Sequence, residues 1–252
     1  MKFGVLGQLL VHDGTVRRLV PAPKQRVLLA TLILSANHPV SVDHLADLVW
    51  DGTPPPSWRA ALHNHVNRLR RTIGPAGARL VTSFPGYQLE VHDAESDLMA
   101  FETLSRAAQA AVVAGAWERT GAPLRAALNL WRGTPLGDVP CEPLRGAWVP
   151  ALTERWLQLV EWRIESDLRS GHDPLLVGEL RQLVGAHPLR ERFHCQLMTV
   201  LCRTGRQAEA LAVYQDARRL LNSELGIEPG FELRQAHQRV LSGESFAPGT
   251  YA

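Results

Sequence analysis

The fold is decided by residues 57–73, which read Ser57-Trp58-Arg59-Ala60-Ala61-Leu62-His63-Asn64-His65-Val66-Asn67-Arg68-Leu69-Arg70-Arg71-Thr72-Ile73. Four apolar residues follow one another at spacings of four, three and four: Leu62, Val66, Leu69 and Ile73. This is the spacing of one buried helix face. At 100° per residue, the opposite side carries Ala60, Asn64, Asn67, Arg68 and Arg71, flanked by His63 and Arg70. The segment predicts an amphipathic helix with a basic outer face, ending at Gly74-Pro75.

Two further helices and several short strands precede it. Residues 3–7, 9–11 and 16–20 are predicted as strands, with a turn at His12-Asp13-Gly14. Helical spacing then starts at Pro23 and ends near Asn37-His38-Pro39. Ser41 is a candidate N-cap for a helix from Val42 to Trp50, which the Gly- and Pro-rich stretch 51–56 must end.

A hairpin is predicted after the basic helix, with strands at 79–82 and 87–91 joined through Ser83-Phe84-Pro85-Gly86. Short strands, three helices and a closing hairpin, with the third helix the most basic, are the layout of a winged helix-turn-helix. We therefore expect an α+β domain over residues 1–93.

The remainder of the chain shows no strand-like alternation. From Leu98 to Leu241 helices are separated by glycine and proline. Gly205 to Leu211, with Tyr214 and Ala217, has the small and aromatic spacing of a tetratricopeptide-type helix pair, and residues 114–131 contain a looser copy. The predicted fold class is mainly α, with an all-α tetratricopeptide-like domain at 94–242 and a disordered tail at 243–252.

Charge is distributed unevenly along the 252 residues. Residues 1–92 contain ten Lys and Arg against five Asp and Glu, and the rest contain 17 against 20. A basic front half favours binding to a polyanion. No segment has the roughly 18 consecutive apolar residues of a membrane span, and the N-terminus lacks a signal-peptide core. We expect a cytoplasmic, nucleoid-associated protein with no membrane partner, whose three cysteines remain thiols.

The outer face of the basic helix suits the major groove of double-stranded DNA. Arginine pairs with guanine, asparagine pairs with adenine, and a small residue permits close approach. The predicted base-contacting residues are His63, Asn64, Asn67 and Arg68. The predicted phosphate-contacting residues are Trp58, Arg59, Arg70, Arg71, Arg79, Thr82 and Tyr87. Two alternatives stay open: the arginines could form an ordinary solvated helix end, and Tyr87 could be a core residue.

Other chemistry has little support. No Gly-rich phosphate loop followed by lysine and no His-Glu-x-x-His motif is present, so we predict no enzyme activity, catalytic residue, cofactor or metal. His194, Cys195 and Cys202 could suggest a metal site, but their helix is apolar and core packing is favoured. A group of tryptophans could line a ligand pocket, although helix packing is the more common role. They are Trp117, Trp131, Trp148, Trp156 and Trp162.

Residues 60–91, with Arg68-Leu69-Arg70-Arg71 and Pro85-Gly86-Tyr87, resemble the winged helix of OmpR/PhoB-type response regulators, the effector domain of two-component systems. The helical half resembles a bacterial transcriptional activator domain. This second resemblance rests on four sequence segments: Leu130-Trp131-Arg132-Gly133-Thr134-Pro135-Leu136, His187-Pro188-Leu189-Arg190-Glu191, Arg206 to Leu211, and Glu224 to Gly230. Together they cover nearly the whole chain. The combination resembles the Streptomyces antibiotic regulatory protein (SARP) family, in its short form without an appended ATPase.

The resemblance implies a sequence-specific activator of antibiotic or other secondary-metabolite gene clusters. It implies binding to direct repeats near the promoter −35 region, recruitment of RNA polymerase holoenzyme, and self-association on DNA. It also places Asn67, Arg68 and Arg70 at DNA, with Arg68 as the best candidate for a base contact. The alternative hypothesis is a helical-repeat protein-interaction scaffold with weak or non-specific DNA binding.

Overall fold

The structure is a computed structural model that describes residues 1–171 and 173–243. The predicted tail at 243–252 therefore lies outside the described residues except for Gly243. The chain divides into two compact units, which are described separately. Unit 1 comprises Met1–Ala107 and Arg125–Leu157, and unit 2 comprises Ala108–Leu124 and the chain from Gln158 onward.

The first 89 residues contain six strands and three α-helices. In chain order they are β1 (Lys2–Gly4), β2 (Leu10–His12), β3 (Arg17–Arg18), α1 (Pro23–Leu34), β4 (Val40–Ser41), α2 (Val42–Trp50), α3 (Trp58–Thr72), β5 (Leu80–Ser83) and β6 (Gly86–Leu89). The strands form two antiparallel sheets, ordered β1-β2-β3 and β4-β6-β5. Three helices and two small sheets, the second closed by the hairpin of β5 and β6, confirm the predicted winged-helix layout.

Two predicted strands are shorter than expected, and hydrogen bonds explain why. Beyond Gly4 the backbone N–H groups of Val5 and Leu6 donate to the Asp97 carboxylate, at 2.9 and 3.1 Å. Beyond Arg18 the carbonyl of Val20 accepts from Arg26 Nε at 2.8 Å. These backbone groups bond to side chains and are not available to continue a ladder.

The hairpin of β5 and β6, residues 80–89, is called the wing, and it has a third strand that the sequence did not predict. Val40 and Ser41 pair with Tyr87 and Gly86 of β6 before the chain enters α2. Ser41 is also the N-cap of α2, as predicted, because its Oγ accepts from His44 N–H at 3.1 Å. A Cβ at Gly86 would lie 2.1 Å from the carbonyl oxygen of Val40, so this strand pairing requires glycine.

Unit 1 extends past the predicted domain boundary at residue 93. Arg132 pairs with Asp97 at 2.7 Å and donates to the carbonyl of Gln8, also at 2.7 Å. Asp138 accepts from Leu9 N–H at 2.7 Å. The N-terminal sheet is thus fastened to residues 97 and 132–138. The domain boundary between residues 93 and 94 stays a prediction. Compact unit 1 contains more of the chain than the predicted domain of residues 1–93.

The rest of the described chain is helical. The α-helices are α4 (Asp97–Val113), α5 (Gly121–Leu128), α6 (Glu142–Arg169), α7 (Asp173–Ala186), α8 (Glu191–Arg203), α9 (Gln207–Leu225) and α10 (Phe231–Ser242), and short 3-10 turns lie at Gly74–Arg79, Asp93–Glu95 and Trp117–Arg119. None of the described helices combines the length and apolar character that a membrane span requires.

Unit 2 is built around α8, which packs against α7, α9 and α10. The inner face of α9 consists of Ala210, Tyr214, Ala217 and Leu221, all buried. These are the small and aromatic positions that predicted a tetratricopeptide-like pair, and α8 and α9 form that pair. Gly226 ends α9 in the left-handed region, with φ of 68°.

Candidate nucleic-acid interface

Helix α3 is held by α1 and α2 through the predicted apolar stripe. Leu62, Val66, Leu69 and Ile73 are at most 1% exposed. Burying one side of a 15-residue helix in this way fixes which residues face solvent. The stripe therefore presents the polar side of α3 outward.

The exposed side of α3 is positively charged and lacks carboxylates. Asn64, Arg68 and Arg71 are exposed. The guanidinium of Arg68 and the amide of Asn64 make no hydrogen bond or ion pair within residues 1–171 and 173–243. Arg71 has one long contact, from Nε to the carbonyl of Asn67 at 3.4 Å. Residues 52–89 contain five arginines and no Asp or Glu, so no carboxylate of this segment is available to pair with Arg68 or Arg71.

A chain of side-chain hydrogen bonds links the remaining predicted base readers to the wing. Asn67 Nδ2 lies 2.8 Å from His63 Nε2, and His63 Nδ1 lies 3.3 Å from the Tyr87 hydroxyl. Arg70 Nη1 donates to Asn67 Oδ1 at 3.0 Å. His63 and Asn67 are thus oriented by neighbours, whereas Asn64 and Arg68 have their full hydrogen-bonding capacity available.

Arg70 connects α3 to the wing. Its Nε donates to the carbonyl of Leu80 at 2.8 Å, its Nη2 lies 3.2 Å from Thr82 Oγ1, and its guanidinium lies 5.9 Å from the ring centre of Tyr87. Tyr87 is only 6% exposed. This geometry favours the core role that the sequence left open for Tyr87. Arg70 uses its donors to bind the wing. Neither Arg70 nor Tyr87 is therefore placed as a free phosphate ligand.

The other predicted phosphate contacts differ in how available they are. Arg59 stacks on Trp58 at 4.4 Å and pairs with Asp43 at 3.4 Å, where both charged side chains are about two-thirds exposed. Such an exposed pair is weak in water and is easily exchanged for a phosphate. Arg79 is instead bound by both carboxylate oxygens of Glu95, at 3.2 and 3.4 Å. Thr82 is exposed on the wing.

Two domain families match successive parts of the chain. Residues 17–89 match the family described as transcriptional regulatory protein, C terminal, and residues 96–241 match the bacterial transcriptional activator domain. The regulatory protein DnrI of Streptomyces peucetius is 34% identical over 97% of this chain and 93% of its own length. The chain belongs to the SARP family of transcriptional regulators.

Two other relatives of this SARP-family chain are longer proteins. The regulatory protein AfsR of Streptomyces coelicolor is 39% identical, and the chain spans 97% of its own length but 24% of AfsR. The solved structure of Mycobacterium tuberculosis EmbR in complex with a low affinity phosphopeptide superposes with a TM-score of 0.89 at 34% identity, covering 96% of this chain and 65% of that one. All of these relatives are named as regulators, and none is named as an enzyme.

Two residues on the wing and on α1 were not among the contacts predicted from the sequence. Phe84 is 95% exposed at the tip of the wing, between β5 and β6. Lys24, in the first turn of α1, stacks on Trp50 at 4.8 Å. Burial, followed by the charges of Lys24 and Arg68, lowers the pKa of His65, which places both cations near this histidine. Only the tertiary structure brings Lys24 beside α3, because Lys24 and Arg68 are 44 positions apart in the sequence.

The predicted core positions in unit 2 are confirmed for His194 and Cys195, both buried in α8, whereas Cys202 is partly exposed. Burial raises the pKa of the Cys195 thiol to about 12, which makes it unreactive at neutral pH. Of the tryptophans, Trp131 packs against Phe101 and Trp156 at 5.5 and 6.0 Å in unit 1. Trp117 stacks with Arg169 at 4.5 Å in unit 2. These contacts are helix packing.

Proposed function

We propose that this SARP-family regulator is a sequence-specific activator that places α3 in the major groove of double-stranded DNA. Arg68 and Asn64 read base edges, with His63 and Asn67 as oriented partners beside them. Trp58, Arg59, Arg71 and Thr82 contact phosphates and set the register. A protein that reads promoters acts in the compartment that holds the chromosome, which is the bacterial cytoplasm.

One observation carries the proposal. Arg68 is an exposed guanidinium without a protein partner, on a helix surface where residues 52–89 contribute no carboxylate. Arginine is the side chain that most often makes bidentate contacts to guanine O6 and N7. An unpaired arginine beside an unpaired asparagine, on a helix whose back is buried in a winged-helix core, is arranged to be satisfied by base edges.

The wing supplies a second contact. When α3 occupies the major groove, the hairpin of a winged helix reaches the adjacent backbone and minor groove. The tip carries Phe84, 95% exposed, followed by exposed Pro85. Apolar side chains of this kind insert between base steps in many minor-groove complexes. We therefore assign Phe84 to the edge of the minor groove.

The regulatory part of the proposal rests on the family. We propose that two copies bind direct repeats near the −35 region of promoters in an antibiotic or secondary-metabolite cluster, and that the bound copies recruit RNA polymerase holoenzyme. Repeats about one helical turn apart would place both copies on one side of the duplex. Self-association is then expected on DNA.

The first experiment selects bound duplexes from a random DNA pool with the full chain at fixed salt, then titrates the winning sequence against a scrambled one. We expect a tandem motif bound at least about a thousandfold more tightly than the scrambled duplex. Weak, salt-sensitive binding without sequence preference would instead support the scaffold alternative, in which DNA binding is non-specific.

A second experiment tests activation. Purified polymerase holoenzyme transcribes a template that carries the selected motif upstream of the −35 region, with and without the full chain. We expect more transcript and co-retention of polymerase on motif-bearing DNA. The matched control carries the scrambled motif at the same position. Strong motif binding without added transcript would retain the DNA-binding assignment and reject polymerase recruitment.

A further inference from the structure

An arginine-lined cavity in unit 1 lies outside the proposed DNA contacts. Its volume is about 510 Å³, and it is lined by Gln8, Arg17, Arg132, Gly133, Thr134, Gly137 and Arg145. Three of these seven residues are arginines, and none is acidic. None belongs to the base- or phosphate-contacting set on α3 and the wing. The cavity is therefore a separate positively charged site within the same compact unit.

Two of its arginines are not satisfied by the protein. The exposed guanidinium of Arg17 makes no hydrogen bond or ion pair in the part of the chain that the structure describes. Arg145 has one ion pair, from Nη1 to the exposed carboxylate of Glu142 at 3.7 Å. Its Nε is buried without an acceptor. A buried donor left unpaired costs free energy, so a ligand that supplies an acceptor is favoured here.

The third arginine is committed and forms part of the wall. Arg132 is held by Asp97 and by the carbonyl of Gln8, both at 2.7 Å. Beside it, the backbone N–H groups of Gly133 and Thr134 donate to no protein acceptor among the described residues. Asp138 lines the adjoining cavity with Arg26 and is engaged by the backbone N–H of Leu9. The arginine-lined cavity thus offers donors and positive charge without an internal carboxylate to neutralise them.

We propose that this cavity binds a phosphate dianion, either free or as the phosphomonoester of a small metabolite. Phosphate presents several strong acceptor oxygens with a charge near −2, and arginine forks match its geometry. A 510 Å³ cavity also falls in the size range of small-ligand pockets. Arg17 lies in β3 and Arg145 in α6, so one bound anion would link the N-terminal sheet to the start of α6.

The test measures binding to the full chain by calorimetry and thermal unfolding at constant ionic strength. The probes are inorganic phosphate, ribose 5-phosphate and ribose. We expect saturable binding of both phosphates, a rise in Tm, and no effect of ribose. Tighter binding of ribose 5-phosphate would identify a phosphorylated metabolite, and equal binding would identify free phosphate. The proposal would be overturned if ribose bound as tightly as ribose 5-phosphate.

Matched variants locate the site. Arg17→Gln and Arg145→Gln should each weaken phosphate binding at least tenfold, whereas Arg71→Gln on α3 should not. Arg17→Gln breaks no hydrogen bond or ion pair of the described residues, so its unfolding without phosphate should match wild type. The site can therefore be tested with Arg17→Gln even if Arg145→Gln folds poorly. Equal losses in all three variants, or phosphate effects reproduced by chloride, would reject the site.

Displacement of phosphate by a DNA duplex, with weaker DNA binding by Arg17→Gln, would reassign the cavity to the DNA backbone.

Discussion

The exposed arginines Arg68 and Arg71 of α3 and the arginines around the buried carboxylates of unit 2 are used in opposite ways. On α3, Arg68 has no partner within the described residues and Arg71 has one contact at 3.4 Å. In unit 2, Arg169 pairs with Glu165 at 2.8 Å, and Arg192 pairs with Glu165 and Glu232 at 3.3 and 3.0 Å. The residue type is the same, and the local supply of carboxylates decides its role.

Three carboxylates of α6 in unit 2 are buried beside the arginines that they bind. Glu161, Glu165 and Asp167 are 8%, 2% and 7% exposed. Arg163 pairs with Asp167 and Arg190 with Glu161. Buried carboxylates with several charged donors make a network whose loss leaves uncompensated charge. Arginines that face solvent without such partners are instead available to an external polyanion.

The largest effect is expected from Glu165→Gln, which removes a buried charge that two arginines share. Breaking a buried ion pair from one side typically costs about 3–5 kcal/mol, and partial exposure of both arginines favours the lower end, about 3 kcal/mol. Urea unfolding of the full chain measures this loss. Glu228→Gln at the exposed pair with Arg218 is the control and should change little. Equal effects of the two variants would mean that the buried network stabilises the fold no more than an exposed ion pair does.

The next effect is expected from Arg68→Ala, which removes the unpaired guanidinium without breaking a hydrogen bond or ion pair within the described residues. Specific DNA affinity should fall by about 1–3 kcal/mol, with relaxed preference at one base pair. Urea unfolding should be unchanged. Titration against duplexes with each base at every motif position measures both changes. A loss that is identical for all duplexes would move Arg68 from the base-reading to the phosphate-contacting group.

The difference between these regions could be predicted only in part from sequence. Periodicity predicts the buried stripe of α3 and, by geometry, the exposure of Arg68. Ser41 is recognisable as a cap because its partner, His44, is three residues away. Strand β4 was missed because two residues leading directly into a helix show no alternation. The contacts of Asp97 with Val5 and Leu6 span about ninety positions, and no local pattern encodes them.

The same limit applies to the candidate site. Helical geometry places Arg70 and Arg71 both near the polar face of α3. Arg70 is withdrawn from it by the carbonyl of Leu80 and the hydroxyl of Thr82, and Arg79 by Glu95. A helical projection gives the direction of a side chain, but it does not give the acceptors that a neighbouring hairpin brings within reach.

Arg70→Ala tests whether Arg70 holds the wing or contacts DNA, and its expected effect is intermediate in size. Loss of the bond to the buried Leu80 carbonyl should lower the free energy of unfolding by about 1.5 kcal/mol, the lower end of the range for hydrogen bonds to charged groups, because Arg70 itself is half-buried. DNA affinity should fall for all sequences as the wing loosens. Unfolding and binding are measured on the same preparation. Unchanged unfolding, together with a salt dependence reduced by one charge, would restore Arg70 as a phosphate contact.

The smallest effect is expected from Arg71→Ala, because this side chain is exposed and its single contact is long. A phosphate contact contributes affinity without sequence information, so binding should weaken equally for all duplexes. The slope of log affinity against log salt should decrease by about one. Arg71→Lys is the control, since it keeps the charge and should keep the slope. If the slope stays the same in Arg71→Ala, the residue belongs to the solvated end of α3, and the DNA surface ends at Arg68. A reduced slope extends that surface across the last turn of the helix, where the absence of carboxylates already favours an anionic partner.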